Sequence, residues 1–459
     1  MIWEKNIIFI LVLMTLIGVT NIQGQNNKQV IFLSWKNVVD YSLKDNIGLK
    51  VKALDYEIQG KETWKSLSYF LPSLSYQGIA QKNLELQVFV FNIYDPFTGK
   101  EKETRARMGS PYNFQHSLNL SFPVFTGGSR WFNYDIQKNI KKSLFEELSA
   151  REEETVLNTM QAYYGIILSG ELAASAEEAA RVAKQNLDQV QKFYNSGIAT
   201  ELDYQRAKAQ YSSTLPVLES ALSNKRLSVQ RLKSLLDIPL TDSLVVTDSL
   251  VKKDFLDAYA DVPLERFKQL SKEYRNDIKA LQFQQNAAKS GEKLALGQFT
   301  PTLAVTAGLD YAAQMENTNI AWADYIRSKS VTLSLSLPLF EGGRRVLDYQ
   351  IAKKKTNQMD LYIKQAESGL ELDVEQSYYN FVEAAKSLQN LKDTQDQYKE
   401  SLRISNLLYS QGMSNQLDVL NAQLLYTQSK IGYLQGVYNY NISQLVLLKS
   451  VGLLDIIWK

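Results

Sequence analysis

Apolar and polar positions alternate with a period of two in a few short stretches of this chain and with a helical period over most of the rest. Leu303, Val305, Ala307, Leu309 and Tyr311 alternate with Thr302, Ala304, Thr306, Gly308 and Asp310. Val331, Leu333, Leu335, Leu337 and Leu339 alternate with Thr332, Ser334 and Ser336, and Leu118, Leu120, Phe122 and Val124 with Ser117, Asn119 and Ser121. Such runs predict strands with one apolar face and one face of small hydroxyl and amide groups. The charged, proline-free stretches 38–67 and 264–296 predict helices before each strand pair. The polar, aromatic-bearing segments 92–112 and 314–328 read as the loops between paired strands. Residues 131–194 and 346–409 predict helices on the order of 95 Å long, each followed by a short turn and a returning helix. On the last helix Leu417, Leu420, Leu424, Thr427, Ile431, Leu434, Tyr438 and Leu445 form a heptad seam. Pro216 stands where Ile431 aligns in the other half, which predicts a kink there.

The two halves repeat one plan. HSLNLSFPVFTGGSR at 116–130 matches VTLSLSLPLFEGGRR at 331–345, and YNSGIATELDYQRA at 194–207 matches YSQGMSNQLDVLNA at 409–422. Both matches hold at an offset of 215, whereas Leu71-Pro72-Ser73-Leu74 matches Thr300-Pro301-Thr302-Leu303 at 229, so the first copy carries 14 extra residues before its Gly-Gly. The expected division is a signal peptide over 1–24, a first repeat over 25–236 (hairpin about 70–126, helical hairpin about 131–236) and a linking element over 237–262. A second repeat follows over 263–454 (hairpin about 299–341, helical hairpin about 345–450), then a tail over 455–459. Two matched hairpins give four strands, too few to close a barrel alone. The strand lengths suit an outer membrane, and aromatics such as Tyr69, Phe70, Phe299, Trp322 and Tyr325 gather at the strand ends as at membrane interfaces.

Composition narrows the function. The apolar run at 7–19 behind Lys5 reads as a secretory leader cleaved after Gly24, giving a start at Gln25. The 459 residues contain no cysteine, so thiolate metal sites and disulfides find no residues here, and the one histidine, His116, argues against a histidine-based metal site or a serine–histidine triad. A net charge of +2 argues against nucleic acid as a partner. No cofactor or metal site is expected, and no enzyme.

The paired strand–Pro–x–Phe–x–Gly–Gly–x–Arg junctions and paired Gly–x–x–x–x–Leu–Asp turns resemble the TolC family of outer-membrane efflux ducts, from about residue 38 to 454. The resemblance implies an α+β membrane protein: a transmembrane β-barrel completed by oligomerisation, four strands per protomer of a homotrimer, continuous with a long α-helical periplasmic barrel. It further implies a passive exit duct in outer-membrane lipid for tripartite efflux or type I secretion. A periplasmic adaptor and an inner-membrane transporter of RND or ABC type would open it. A passive porin or a periplasm-spanning structural protein is the alternative reading. The cargo has no signature in the sequence.

The residues that matter follow from the same motifs. Gly197 and Gly412 fit left-handed helix caps, with Thr200 or Ser414 starting the return helix. The resemblance makes Gly197, Ile198, Ala199, Thr200, Gly412, Met413 and Ser414 adaptor-docking tips. It places Asp418 and Asn421, with Asp203 and Tyr409, at the periplasmic aperture. A Tyr409–Asp203 hydrogen bond is the expected remnant of a family latch whose arginine position is Ser414 here. Asp203 and Asp418 also suit the first turn of a helix. Gly127, Gly128 and Arg130, with Gly342, Gly343 and Arg345, should turn strand into helix at the inner rim. Lys141, Lys142 and Lys353–Lys355 just beyond read as a solvated face or as contacts to headgroups, and His116 as an interfacial residue.

Overall fold

Two 67-residue helices form the long axis of the protein, Ser129–Asn195 (α3) and Arg344–Ser410 (α7). Both bounds are 215 positions apart, so the offset of the sequence repeat is also that of the structure. At 1.5 Å per residue each reaches about 100 Å. This computed structural model describes residues 30–97, 99–259 and 262–458, so the expected leader and its cleavage site lie outside the described residues.

Before α3 come β1 (Val30–Leu33), α1 (Trp35–Asp45), α2 (Ile47–Ser68), β2 (Ser73–Lys82), β3 (Gln87–Asp95), β4 (Lys100–Met108) and β5 (Tyr112–Thr126). After it come α4 (Glu201–Leu235), β6 (Ser243–Val246), α5 (Leu264–Tyr274), α6 (Asn276–Gly297), β7 (Thr302–Met315) and β8 (Ile326–Ser336). Helix α7 then leads to α8 (Gln416–Val451). Among the described residues no helix is long and apolar enough to cross a membrane.

Strands β2, β5, β7 and β8 form one antiparallel sheet in that order. Its register sorts the side chains cleanly. On one face, Leu74 and Tyr76 lie beside Leu120 and Leu118, which lie beside Ala307 and Leu309; Val331 and Leu333 continue the face. On the other face the rows read Ser75–Asn119–Gly308–Ser330 and Gln77–Ser117–Asp310–Ser328. One face suits hydrocarbon and the other a wet lumen.

Four features depart from the sequence reading. The pre-strand helices are each broken, at Asn46 and Arg275, because both residues adopt extended backbone (ψ 118° and 116°). Asn46 pins its break by accepting from Leu49 N and donating to Leu235 O, 2.9 Å in each case. Arg275 pins the other by donating to Asp277, Asp373 and the Ser450 carbonyl. Second, the loop expected over 92–112 is largely a separate two-stranded ribbon, β3 against β4; Val88, Phe89, Val90, Phe91 and Ile93 have the β-branched and aromatic character that favours strand. Third, β8 stops at Ser336, short of Leu337 and Leu339, whereas its counterpart β5 continues to Thr126. Strand β5 is held from both sides by β2 and β7, but β8 has a partner on one side only. Fourth, β1 was not anticipated: it pairs in parallel with β6 in the linking segment. Helix α4 runs unbroken through Pro216.

The main core sits at mid-height, where the long helices pass the linking segment. Val156, Met160, Tyr163 and Tyr164 of α3 meet Leu445, Leu448 and Val451 of α8, together with Leu33, Val38, Leu256 and Phe267. Buried Asn441 and Gln444 hold the linker by its backbone. Asn441 accepts from Lys253 N and donates to Val251 O, and Gln444 accepts from Leu256 N and donates to Lys253 O. Each amide thus acts as a strand edge for a segment with no strand partner.

Glu153 of α3 lies near this belt, 5% exposed, accepting from Asn276 Nδ2 at 2.9 Å. Burial, reinforced by Asp455 and Asp277, outweighs the attraction of Lys449 and Arg275 and raises its pKa from 4.5 to about 7. A pKa raised on folding means stability is complete below the unfolded value and is lost as pH rises through the folded one. We expect Glu153→Gln to flatten the fall in melting temperature between pH 5 and 8. At pH 8 the variant should be the more stable by on the order of 3 kcal/mol. Thermal unfolding in detergent across that range is the check, and parallel curves for both proteins would refute it.

Candidate functional site at the helical tips

At one end of the molecule α3 turns into α4, and α7 into α8, by the same chemistry. Gly197 and Gly412 both adopt φ of +71°, a conformation that favours glycine. Ile198 N donates to Phe193 O at 2.8 Å and Gly197 N to Tyr194 O at 3.0 Å. Met413 N and Gly412 N bond Leu408 O and Tyr409 O in the same way. These paired bonds are the Schellman ending, which satisfies the last carbonyls of a helix. Two exposed apolar residues crown the turns, Ile198 (74%) and Met413 (65%).

The return helices start with reciprocal caps. Thr200 Oγ1 accepts from Asp203 N, and Asp203 accepts from Thr200 N and, at 2.6 Å, from Thr200 Oγ1. These bonds hold the Asp203 carboxyl below its usual range, with a smaller contribution from Arg206. In the second tip the cap is Asn415, not Ser414 as the sequence suggested: Asn415 Oδ1 accepts from Asp418 N at 3.0 Å. Counting 215 from Thr200 gives Asn415, so the repeat itself points to it. Ser414 supplements the cap by donating to Asp418 Oδ2 at 2.8 Å. Asn421 is exposed and lies three positions further along α8.

No hydrogen bond joins Tyr409 to Asp203 among the described residues. The Asp203 carboxylate is engaged by Thr200, and Tyr409 is half-buried beside it; burial and then Asp203 raise the Tyr409 hydroxyl. Tyr409 instead lines a cavity of about 830 Å³ between the two helical hairpins, with Val182 and Ala183 of α3, Pro216 and Val217 of α4, and Leu420 and Ile431 of α8. Leu420, Leu424, Thr427 and Ile431 of the predicted seam face this space; Leu434 and Leu445 are buried further up. Sequence reading missed a brace on the first tip. Tyr194 donates to Glu201 and stacks on Tyr204 with centroids 5.4 Å apart; two tyrosines straddling a Gly–x–x–x–x–Leu–Asp turn were the available signal.

The strand–helix junctions lie at the opposite end of the long helices. All four glycines have positive φ, from +63° to +81°. Arg130 donates to the carbonyls of Tyr69 and Val124 and sits over the Phe70 ring. Arg345 donates to the carbonyls of Gln298 and Pro338 and sits over the Phe299 ring. Tyr69 and Gln298 are the C-caps of α2 and α6, so each arginine ties a long helix to the negative end of the helix before it. The copies differ at the glycines. A side chain on Gly127 would strike Thr300 Oγ1 and Gly297 O, whereas Gly342 faces open space. No group of three or more metal-ligating side chains occurs among the described residues.

Comparison with known proteins bears on this arrangement. The model of the outer membrane efflux protein family matches residues 97–237 and 268–453, well over half of the chain. The chain is 22% identical over 349 residues to outer membrane protein TolC of Escherichia coli K12, covering 74% of this chain and 69% of that protein. Its fold is similar to the Campylobacter jejuni CmeC outer membrane channel, with a TM-score of 0.76, 19% identity, and 92% and 86% of the two chains covered. It is also similar to the outer membrane protein VceC of Vibrio cholerae, with a TM-score of 0.74, 15% identity, and 91% and 96% covered.

Proposed function

This chain belongs to the outer membrane efflux protein family, and we propose that three copies form the exit duct, recruited at its tips by a periplasmic adaptor and an inner-membrane transporter. It is an outer-membrane channel component, not an enzyme. The observation that carries the assembly is the open sheet. Strands β2 and β8 each have a free edge, and in lipid only closure of the sheet satisfies such edges. The inner rim supports the same reading. Gly127 is filled by Gly297 and Thr300 of the other repeat, and Gly342 is the matching but empty position. At the repeat offset of 229 the equivalents of Gly297 and Thr300 are Ser68 and Leu71. A neighbouring copy would bring these against Gly342, continuing the contact around the ring in six quasi-equivalent steps. Long paired helices then tile below as a tunnel. The division into repeats at 25–236 and 263–454, joined by 237–262, belongs to the same proposal.

At the tips the exposed Ile198 and Met413, on rigid capped turns, supply apolar knobs for adaptor hairpins, with Gly197, Ala199, Thr200, Gly412 and Ser414 around them. Three copies of Asp418 would ring the aperture with negative charge, and Asn421 adds none. Ser414 bonds its own Asp418 and offers no cation to the first tip, so the aperture lacks a charged clamp. A simple porin does not require helices of this length, and a scaffold does not require a sheet with one continuous apolar face.

Cysteines at Leu71 and Glu341, in a chain otherwise free of them, should crosslink between copies into a trimer on denaturing gels; exclusively monomeric product would count against the ring. A single cysteine at Ser196 or Gln411, crosslinked in living cells, should capture a periplasmic adaptor. Clean outer-membrane expression with no adduct at either tip would favour a self-sufficient porin. In planar bilayers, Asp418→Ala should raise the hexamminecobalt concentration for half-block about tenfold or more, as expected for removing a charged ring. Unchanged block would remove Asp418 from the aperture.

A further inference from the structure

The apolar face of the sheet ends, at the rim away from the helices, in a polar aromatic plate. His116 bridges two tyrosines: Nδ1 bonds Tyr76 Oη at 2.7 Å and Nε2 bonds Tyr325 Oη at 3.1 Å. A neutral imidazole donates to one hydroxyl and accepts from the other. Tyr76 stacks on the His116 ring at 6.0 Å and 18°, and Trp322 lies 5.2 Å from Tyr325. Trp322 and Tyr76 are about two-thirds exposed. These residues come from β2, β5 and the β7–β8 connection, so the plate exists only in the folded sheet.

Arg327 and Lys329 share this face. The register sets Arg327 beside Tyr311 and Lys329 beside Leu309 on β7, and β7 in turn sets Tyr311 beside His116 and Leu309 beside Leu118. Both cations are exposed, and neither makes an ion pair among the described residues. Asp310, opposite Ser328 in the register, is on the lumen face, and Asp324 accepts from Ala321 N at 2.8 Å. Two cations on a face otherwise given to aliphatic and aromatic residues and His116 are costly in hydrocarbon, so their position needs a partner.

Height supplies one. His116 is ten residues from the end of β5 and Arg327 nine from the end of β8. At about 3.4 Å per residue and a ~40° tilt, both stand roughly 25 Å above the inner rim, the full height of an outer-membrane apolar band. Lys329 starts lower, and its four-carbon stem is long enough to carry the ammonium toward the same level. That level is the headgroup layer of the outer leaflet, where the lipid is a phosphorylated glycolipid.

We propose that Arg327 and Lys329 together with the Tyr76–His116–Tyr325–Trp322 plate form a binding site for a phosphorylated glycolipid of the outer leaflet. The guanidinium and ammonium hold phosphate, and the plate receives the sugar while the acyl chains lie along Val331, Leu333 and Leu335. This rests on the barrel reading above and adds a ligand to its outer surface.

The test titrates trimers in neutral detergent with bis-phosphorylated lipid A and with its dephosphorylated form, counting bound lipid by native mass spectrometry. Each surface cation near a membrane contributes roughly fivefold, so the wild type should prefer the phosphorylated form by about thirtyfold. Arg327→Gln/Lys329→Gln should lose that preference, and Arg327→Lys/Lys329→Arg should keep most of it. Equal affinity of the wild type for both lipids, or an unchanged preference in the glutamine variant, overturns the proposal. Conductance in phosphatidylcholine bilayers is read in parallel. Channels there with no lipid preference refute this site alone, whereas no channel from the wild type refutes the duct reading on which it rests.

Discussion

Two unsatisfied sheet edges govern this molecule. Among the described residues strand β2 pairs only with β5, and β8 only with β7, leaving a row of backbone donors and acceptors along each side of a sheet whose outer face is largely apolar. In water such edges would be a hazard for aggregation. In hydrocarbon each unpaired group costs several kcal/mol, far more than a domain's net stability can absorb over a strand of ten residues. The sheet is therefore one part of a closed object, and the surrounding features serve that closure: the repeat that makes the copies tile, the glycine junctions that pass strand into helix, and the arginines that lock the passage.

Stability is unevenly distributed along the axis. The large core sits at mid-height, where α3, α8, the short helices and the linker meet, and where Asn441 and Gln444 bind the linker backbone. The first tip has only a small cluster, Leu187, Val190 and Ala207. Its rigidity is local, coming from the Schellman endings and reciprocal caps rather than from packing. A duct that opens at its tips suits this arrangement, because local opening draws on the least buried parts of a fold. The cavity between the hairpins, bordered by Pro216 on one side and Leu420 and Ile431 on the other, leaves room for one hairpin to move against the other.

The copies are similar but not interchangeable. Thr200 becomes Asn415, Arg206 becomes Asn421 and Pro216 becomes Ile431 across the offset of 215. The caps survive these changes because threonine and asparagine both accept from the third amide of the helix. The charges do not survive: Arg206 is near Asp203 in the first tip, and Asn421 leaves Asp418 without a cationic neighbour at that position. In the proposed ring of three such chains the six turns would be similar in backbone and the two carboxylates of each chain different in their surroundings.

Much of this was legible in the residues. Period-two alternation located three of the four sheet strands and the repeat implied the fourth, the two Gly-Gly pairs located both helix starts, and the Gly–x–x–x–x–Leu–Asp motif located both tips, because each depends on local backbone chemistry or on the duplication. The breaks at Asn46 and Arg275 were not legible. Asn46 is held by Leu235 and Arg275 by Asp373 and Ser450, partners that only the fold brings near. The pairing of β1 with β6 and the linker's grip on Asn441 are likewise long-range. The absent Tyr409–Asp203 bond has the same cause: a motif says which groups are present, but Thr200, three residues away, competes for the carboxylate and wins. The sequence alone determined the periodic elements, the caps and the duplication, all set within a few residues. Only the tertiary structure decided which strands have free edges, what Glu153 is buried against, and which aromatic and cationic groups share one face, since these depend on contacts between segments far apart in the chain.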